Sequence, residues 1–255
     1  MRIRRYARIG LSAALVAAIA GSFAPPQPET LPEPPTDPTT LVLQLHEWRS
    51  MIPAGIQSMA EFTLYGGGRV ITKPSLDSPA LEFTLPQWQY RQLYRLAHAA
   101  GLDKATDYDD PQVHTDASLL VATLWTPTGL RTTNVPAPSD GSGGARGRVV
   151  AFRRLVRQLA PPPANAPRYQ PSHIATVVIG GWSAKGDDAR AWPGPDPLAG
   201  QKTSLGTCTV YEAQALPDTA GAGTTWLVNG EELTIVLLPL LPHERDCFYL
   251  DARVP

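Results

Sequence analysis

The sequence predicts an α+β fold: a mixed or antiparallel sheet with β-hairpins packed against two or three helices. Three observations carry this. Two β-rich runs, Glu61-Phe62-Thr63-Leu64-Tyr65 and Arg69-Val70-Ile71-Thr72, flank Gly66-Gly67-Gly68 as the arms of a hairpin. Two stretches, residues 85–100 and 148–159, repeat apolar side chains at helical spacing. Strands and helices then alternate irregularly, unlike the strand–helix succession of a doubly wound sheet.

The N-terminus reads as an export signal. Arg2, Arg4, Arg5 and Arg8 precede an uncharged apolar stretch, residues 9–20, and small residues follow at Ala18, Ala20, Gly21 and Ala24. That is the charged, apolar and small-residue order of a cleavable secretory signal. Cleavage after Ala20 is favoured, because a cut after Ala24 would leave Pro25 beside the scissile bond. An uncleaved anchor is the alternative, but the apolar run to Ala24 is about 16 residues, short of the ~20 that span a bilayer. Arg4-Arg5 resembles a twin-arginine signal only at the pair itself, since Ala7 and Arg8 stand where apolar residues are expected. No Cys follows the apolar region, which excludes a lipid-modified N-terminus. Removing residues 1–20 leaves 18 basic residues against 23 acids, a net charge of about −5. Neither that balance nor the −1 of the whole chain calls for nucleic acid as a partner. A membrane is expected as a partner only through the signal segment, if it stays uncleaved.

Residues 21–40 are expected to be a disordered Pro-rich tether, since residues 25–40 hold seven Pro and no aromatic. Residues 41–255 then form one α+β domain, with a Pro-rich break at 161–171 that either links two halves or divides two lobes. Leu41-Val42-Leu43-Gln44-Leu45 starts it as a strand. In the first helix Thr84 is the expected N-cap, Gln87 its capping-box partner, Pro86 a first-turn residue and Gly101 the residue past the end. Leu85, Trp88, Leu93, Leu96, Ala97 and Ala100 are expected on its apolar face. An acidic loop at 103–116 leads to a strand at 119–125, and Thr126-Pro127-Thr128-Gly129 turns it into another at 130–135. A flexible Ser/Gly loop at 139–147 precedes the basic second helix, whose Val149, Phe152, Leu155, Val156 and Leu159 share one side and whose Arg residues share the other. Residues 174–179 read as a continuous, predominantly apolar strand, which predicts a central strand covered on both faces. Residues 180–200 read as a long surface loop, and residues 210–216 as a strand end passing into a short helix. Asn229-Gly230 marks a turn before the apolar strand 233–238.

Three segments carry a resemblance: Leu64-Tyr65-Gly66-Gly67-Gly68-Arg69-Val70-Ile71, Asp107-Tyr108-Asp109-Asp110-Pro111, and Leu238-Pro239-Leu240-Leu241-Pro242 running to Cys247. In their order and spacing they resemble an uncharacterised family of exported actinobacterial proteins. The resemblance implies export and no activity. Residues 248–255 depart from it, continuing past the Cys at which such chains often stop.

Cys208 and Cys247 are the only cysteines. Their spacing fits neither a redox CxxC motif nor a zinc pattern, so in an exported chain they read as one structural disulfide. Asp103, Asp107, Asp109, Asp110 and Asp116 surround His114. Asp107, Asp109 and Asp110 are an alternative Ca²⁺ site, but no EF-hand spacing is present, and the expectation is a turn built by Asp and Pro, with no metal and no cofactor. His46, His98, His114, His173 and His243 accompany no Gly-x-Ser-x-Gly elbow, His-Glu-x-x-His, Walker A or dinucleotide motif. The Gly triplet precedes a strand, not a helix, so it is a turn rather than a phosphate loop. Trp182 and Trp192 are the candidate ligand-binding residues, as exposed aromatics in the 180–200 loop; packing of that loop onto the body is the other reading. The expected function is an exported cell-envelope or secreted binding module with an unknown envelope or extracellular partner. The alternative is a secreted hydrolase whose site carries no recognisable motif.

Overall fold

The glycine hairpin forms where the sequence places it. β2 (Phe62–Tyr65) and β3 (Arg69–Thr72) pair antiparallel across a 3-10 turn at Gly66–Gly68. They belong to the first of two six-stranded sheets in this computed structural model. It describes residues 31–48, 59–75, 78–109, 117–139, 143–179, 190–203, 206–216 and 224–247. The signal segment, Asp110, His114, Trp182 and residues 248–255 lie outside the described residues.

The first sheet adds β1 (Leu41–Trp48), β4 (Leu81–Thr84), β5 (Leu119–Thr126) and β6 (Gly129–Pro136), in the order β4-β3-β2-β1-β5-β6. Every neighbouring pair is antiparallel. Alternation sorts its faces: Leu120, Ala122 and Leu124 of β5 are fully buried and lie opposite Leu43 and Leu45 of β1 or Val135 of β6. Two helices, α1 (Gln87–Ala100) and α2 (Gly144–Leu159), cover that face. Tyr90, Leu93, Tyr94 and Ala97 of the first and Val149, Phe152 and Val156 of the second complete one continuous core.

The second sheet comprises β7 (His173–Ile179), β8 (Arg190–Ala191), β9 (Gln201–Thr203), β10 (Gly206–Glu212), β11 (Thr224–Val228) and β12 (Glu231–Pro239). Its order is β8-β11-β12-β7-β10-β9, antiparallel except for the short parallel β8–β11 pair. β7 is central, and its four consecutive buried residues, Ala175 to Val178, face both sides; the one polar residue among them, Thr176, donates its hydroxyl to Thr209 O (3.2 Å). Asn229 and Gly230 both have positive φ, 50° and 86°, the condition of a tight two-residue hairpin turn between β11 and β12. The whole is α+β, with antiparallel hairpins packed on helices.

The chain passes between the sheets at the Pro-rich residues 160–172. There the Tyr169 N–H donates to Ala80 O (2.8 Å) and the Glu82 N–H to Pro167 O (2.9 Å). Leu41, Tyr65 and Ile71 of the first sheet meet Tyr169 and Leu241 in a shared core. Residues Glu33–Pro255 thus form one compact unit.

Three expectations are corrected. The tether does not run to residue 40. Pro34 is buried, Pro35 O accepts from the Tyr90 hydroxyl and from the Gly67 N–H, and Asp37 caps its own turn through the Thr39 N–H (2.9 Å). The reason lies in the Gly triplet. A Cβ at Gly66 would stand 2.1 Å from Asp37 O and one at Gly68 2.9 Å from Leu85 O, so glycine alone lets the proline segment and the β4–α1 junction approach. The helix start is also displaced. Thr84 pairs with Arg69 at the end of β4, and α1 begins at Gln87 after Pro86, without a side-chain cap. Gly101 does close the helix in the left-handed region (φ 91°). The third correction is Trp88, 66% exposed rather than buried. Two residues before Tyr90, it points about 160° away from the core at 100° per residue.

Candidate functional site

The outward side of the helix pair is where the molecule presents a chemistry not spent on packing. α1 and α2 span 14 and 16 residues and contain Arg91, Arg95, Arg146, Arg148, Arg153, Arg154 and Arg157, with no Asp, Glu or Lys. Amphipathic phase turns Arg91, Arg95, Arg148, Arg154 and Arg157 outward, but the arginines of α2 do not all share the outer side as expected: Arg153, its side chain 12% exposed, lies between Val149 and Val150 in helical phase and turns in to the first sheet. The helices lie side by side, and the Gln89 side-chain amide donates to Leu159 O, tying the first turn of α1 to the last turn of α2.

Some of this charge is spent internally. The Arg153 guanidinium bridges Glu47 (2.6 Å) and Glu61, and Arg157 also reaches Glu61 (2.7 Å). Burial pushes the Glu61 carboxyl up, but hydrogen bonds and charge from Arg153, then Arg157, outweigh it and hold the group below its ordinary value. Arg146 donates to the carbonyls of Pro136 and Ala137, closing the end of β6. Arg91 holds Glu33 at 3.3 Å in an open pair. Arg95 and Arg148 are exposed, and neither makes an ion pair among the described residues. On α1, Trp88, Arg91, Gln92 and Arg95 form one stripe at i, i+3, i+4 and i+7. Such a surface binds anions through planar guanidinium groups and offers one flat apolar ring beside them.

Two polar clusters lie deeper. Near the C-terminus of α1, the Tyr94 hydroxyl, His98 Nε2 and Asp103 Oδ1 are all buried without a hydrogen-bond partner. The Tyr94 and His98 rings meet edge to face at 4.6 Å. Burial, then the nearby Asp103 carboxylate, pushes the Tyr94 phenol up; burial pulls His98 down although Asp103 acts the other way. At the seam between the sheets, the Tyr65 hydroxyl and His243 Nδ1 share a hydrogen bond of 2.8 Å, and the Arg69 guanidinium lies 5.7 Å from the Tyr65 ring centre. Tyr169 donates to Leu240 O (2.8 Å), and burial pushes its phenol up to about 12. Glu244, also buried, accepts from the Leu241 N–H at 2.9 Å. The Leu64-to-Ile71 segment and the segment from Leu238 to Cys247 therefore meet, and what joins them is a structural seam.

The residues singled out from sequence fall as follows. Cys208 and Cys247 are disulfide-bonded, inside the small core of Ala175, Val177, Val236 and Leu238. Trp192 is not an open platform. Its ring packs edge to face on Trp226 at 5.3 Å and its indole N–H donates to Pro195 O, so it fastens residues 190–200 to the second sheet. Asp107 accepts from the Asn134 side-chain amide at 2.7 Å, while the Tyr108 N–H donates to Asn134 O. Asp107 is thereby a clip on the β6 edge, and Asp109 is exposed. Among the described residues no group of three His, Cys, Asp or Glu is placed to hold a metal ion. Ser172 and His173 share a hydrogen bond of 3.0 Å, an exposed contact between chain neighbours. The tally of arginines without acids through both helical windows was the available signal for the helix face; the chain's near-neutral total hid it. No helix among the described residues is long and apolar enough to cross a membrane. No protein-family model, curated protein or solved structure matches this chain.

Proposed function

We propose that the chain is exported and then works as a binding module of the cell envelope or its surroundings, with the outer face of α1 and α2 as its contact surface. The observation that carries the reading is the α1 stripe on which Trp88, 66% exposed, stands in line with Arg91 and Arg95, on a helix that contains no acid. An exposed indole beside guanidinium groups is the composition of a recognition surface, where Trp and Arg dominate binding energy. The Arg-rich start and short apolar run of residues 1–20, and the resemblance to exported actinobacterial proteins, support the export half. The Cys208–Cys247 disulfide is consistent with an oxidising compartment.

Fractionation of the cells that make the protein tests this. The mature chain should begin at or near Gly21 and be recovered outside the cytoplasm, in part with the envelope. A variant carrying Trp88→Ala and Arg95→Glu should move from the envelope to the soluble exported fraction. An intact Met1 in exported material would remove cleavage, and an unchanged distribution of the variant would remove the helix face as the contact surface.

A further inference from the structure

We infer that the outer stripe of α1 binds an acidic polysaccharide, with a sugar ring stacked on Trp88 and its carboxylate or sulfate groups paired with Arg91 and Arg95. This rests on the reading of that face as a contact surface and names its partner.

The charge argument comes first. Of the seven arginines on the two helices, Arg153 and Arg157 are paired with Glu61, Arg146 is held by backbone carbonyls and Arg91 is openly paired with Glu33, which leaves the α1 stripe of Arg91 and Arg95, and Arg148 on α2, as the outward cations of a chain whose net charge is −1. That selects a polyanion. The choice of Arg throughout narrows the anion to one with planar or trigonal oxygen pairs, which guanidinium groups meet bidentately. The chain already places one carboxylate at this stripe: Glu33, on the proline-rich segment, approaches Arg91 through a single contact at 3.3 Å, with both side chains largely open to solvent.

The apolar content of the face then separates the classes of polyanion. Trp88 is its only exposed large apolar side chain among the described residues; the other such residues, Leu31, Leu130, Leu198 and Leu227, lie outside both helices. A helix that inserts into lipid headgroups needs a row of apolar residues along one side. A protein partner needs a desolvated apolar cluster at the centre of its interface. One indole is too little for either, yet it suits a pyranose, whose C–H face packs on an aromatic ring while its hydroxyls stay wet. The spacing fits a chain-like ligand: Trp88 and Arg95 are seven residues apart on one stripe, about 10 Å along the helix axis, with the Gln92 amide between them.

Calorimetric titration of the full exported chain tests the inference, with polygalacturonate and dextran sulfate as probes and neutral dextran as the control. Poly-glutamate and vesicles containing anionic phospholipid form two further arms. Binding to the acidic polysaccharides is expected at low salt, weakening as salt screens the arginines. Trp88→Ala should weaken it about tenfold, and Arg95→Glu by more. Glu33→Gln should tighten it about two- to fivefold by freeing Arg91, a gain that a purely structural role would not give. Leu198→Ala, in the loop between β8 and β9, should change nothing. Equal binding of poly-glutamate that ignores Trp88→Ala would reduce the face to unspecific charge and overturn the inference. Binding to vesicles but not to polysaccharide would replace it with a membrane partner. No binding to any anion, with envelope association still dependent on Trp88 and Arg95, would overturn the polysaccharide alone. Loss of both would overturn the contact surface too.

Discussion

The two sheets of this molecule solve the same problem by different means. The first buries one face under α1 and α2, which bring Tyr90, Leu93, Tyr94, Val149, Phe152 and Val156 to meet Leu43, Leu45, Leu64 and Leu124. Among the described residues the second has no α-helix packed on it. One of its faces closes around the Cys208–Cys247 disulfide, and the other is covered by residues 190–200, fastened through Trp192 on Trp226, the Tyr211 hydroxyl on Asp196 O and the Thr209 hydroxyl on Pro197 O. Where helices supply apolar area the sheet needs no covalent closure; where a proline- and glycine-rich strap replaces them, a cross-link makes up part of the difference. The helical cover has a second consequence. A helix has an outer side free for other chemistry, and this one displays arginines.

The largest effect expected from the contrast is on the second sheet. The disulfide spans 39 residues of chain, and loop entropy assigns such a closure about 4 kcal/mol. Reduction, or Cys208→Ala with Cys247→Ala, should lower stability by roughly that amount, as measured by urea denaturation. Amide exchange should show β7, β10 and β12 losing protection before β1 and β5. Equal loss across both sheets would mean that the seam at Tyr65, Tyr169 and Leu241 couples them fully. A somewhat smaller loss, about 3 kcal/mol, is expected for Leu93→Ala, which empties a fully buried site between helix and first sheet. Its exchange pattern should be the reverse, with β1 and β5 opening first. The same pattern in both variants would dissolve the distinction between the sheets.

Legibility in the sequence follows the same division. The hairpin at Gly66–Gly68, the central β7, the Asn229-Gly230 turn and the disulfide were all readable, because each depends on local spacing or on residues with a single use in this context. What was not readable depends on contacts distant in sequence. β4 has no strand signature of its own; residues 81–84 are extended because they pair with β3 and because residues 167–169 bond to their edge. The proline segment looked unfoldable for lack of apolar residues, yet a glycine surface 30 residues downstream gives it a backbone partner. Trp88 is apolar, but its phase on α1, two residues before the buried Tyr90, decides that it faces outward. Trp192 shows the converse: an aromatic in a loop need not be open, because Trp226 on β11 awaits it.

Acid should expose a further asymmetry. Arg153, Arg157, Glu47 and Glu61 join α2 to the first sheet, and the Glu61 carboxyl titrates below its ordinary value of 4.5. Because the folded state binds this proton less readily than the unfolded chain, its stabilisation is complete above pH ~4.5 and falls away as pH drops through the depressed value. Glu61→Gln should cost about 2 kcal/mol at neutral pH, the order of a charge-assisted hydrogen bond, and should flatten the stability profile below pH ~4.5. Melting curves from pH 3 to 7 for the two proteins would show it. Parallel profiles would place the acid sensitivity elsewhere in the chain.

The smallest effect concerns how each sheet holds the loop beside it. On the first sheet Asp107 clips residues 106–108 to β6 through the Asn134 amide, with backbone bonds from the Tyr108 N–H to Asn134 O and from the Asn134 N–H to Thr106 O. On the second, the Tyr211 hydroxyl clips residues 195–196. Each is a partly exposed polar bond, so Asp107→Ala and Tyr211→Phe should each cost about 1 kcal/mol. The first variant also decides between a turn and a Ca²⁺ site at Asp107, Asp109 and Asp110. A ligand at a hundred times its dissociation constant would stabilise the fold by about 2.7 kcal/mol, enough to move a melting midpoint by several degrees. With Asp107 engaged by Asn134, millimolar Ca²⁺ and chelator should give the same midpoint, Asp107→Ala the same loss in both, and Asp109→Ala almost none. A Ca²⁺-dependent rise abolished by Asp109→Ala would make the loop a metal site, and the first sheet would then be secured by an ion where the second uses a tyrosine.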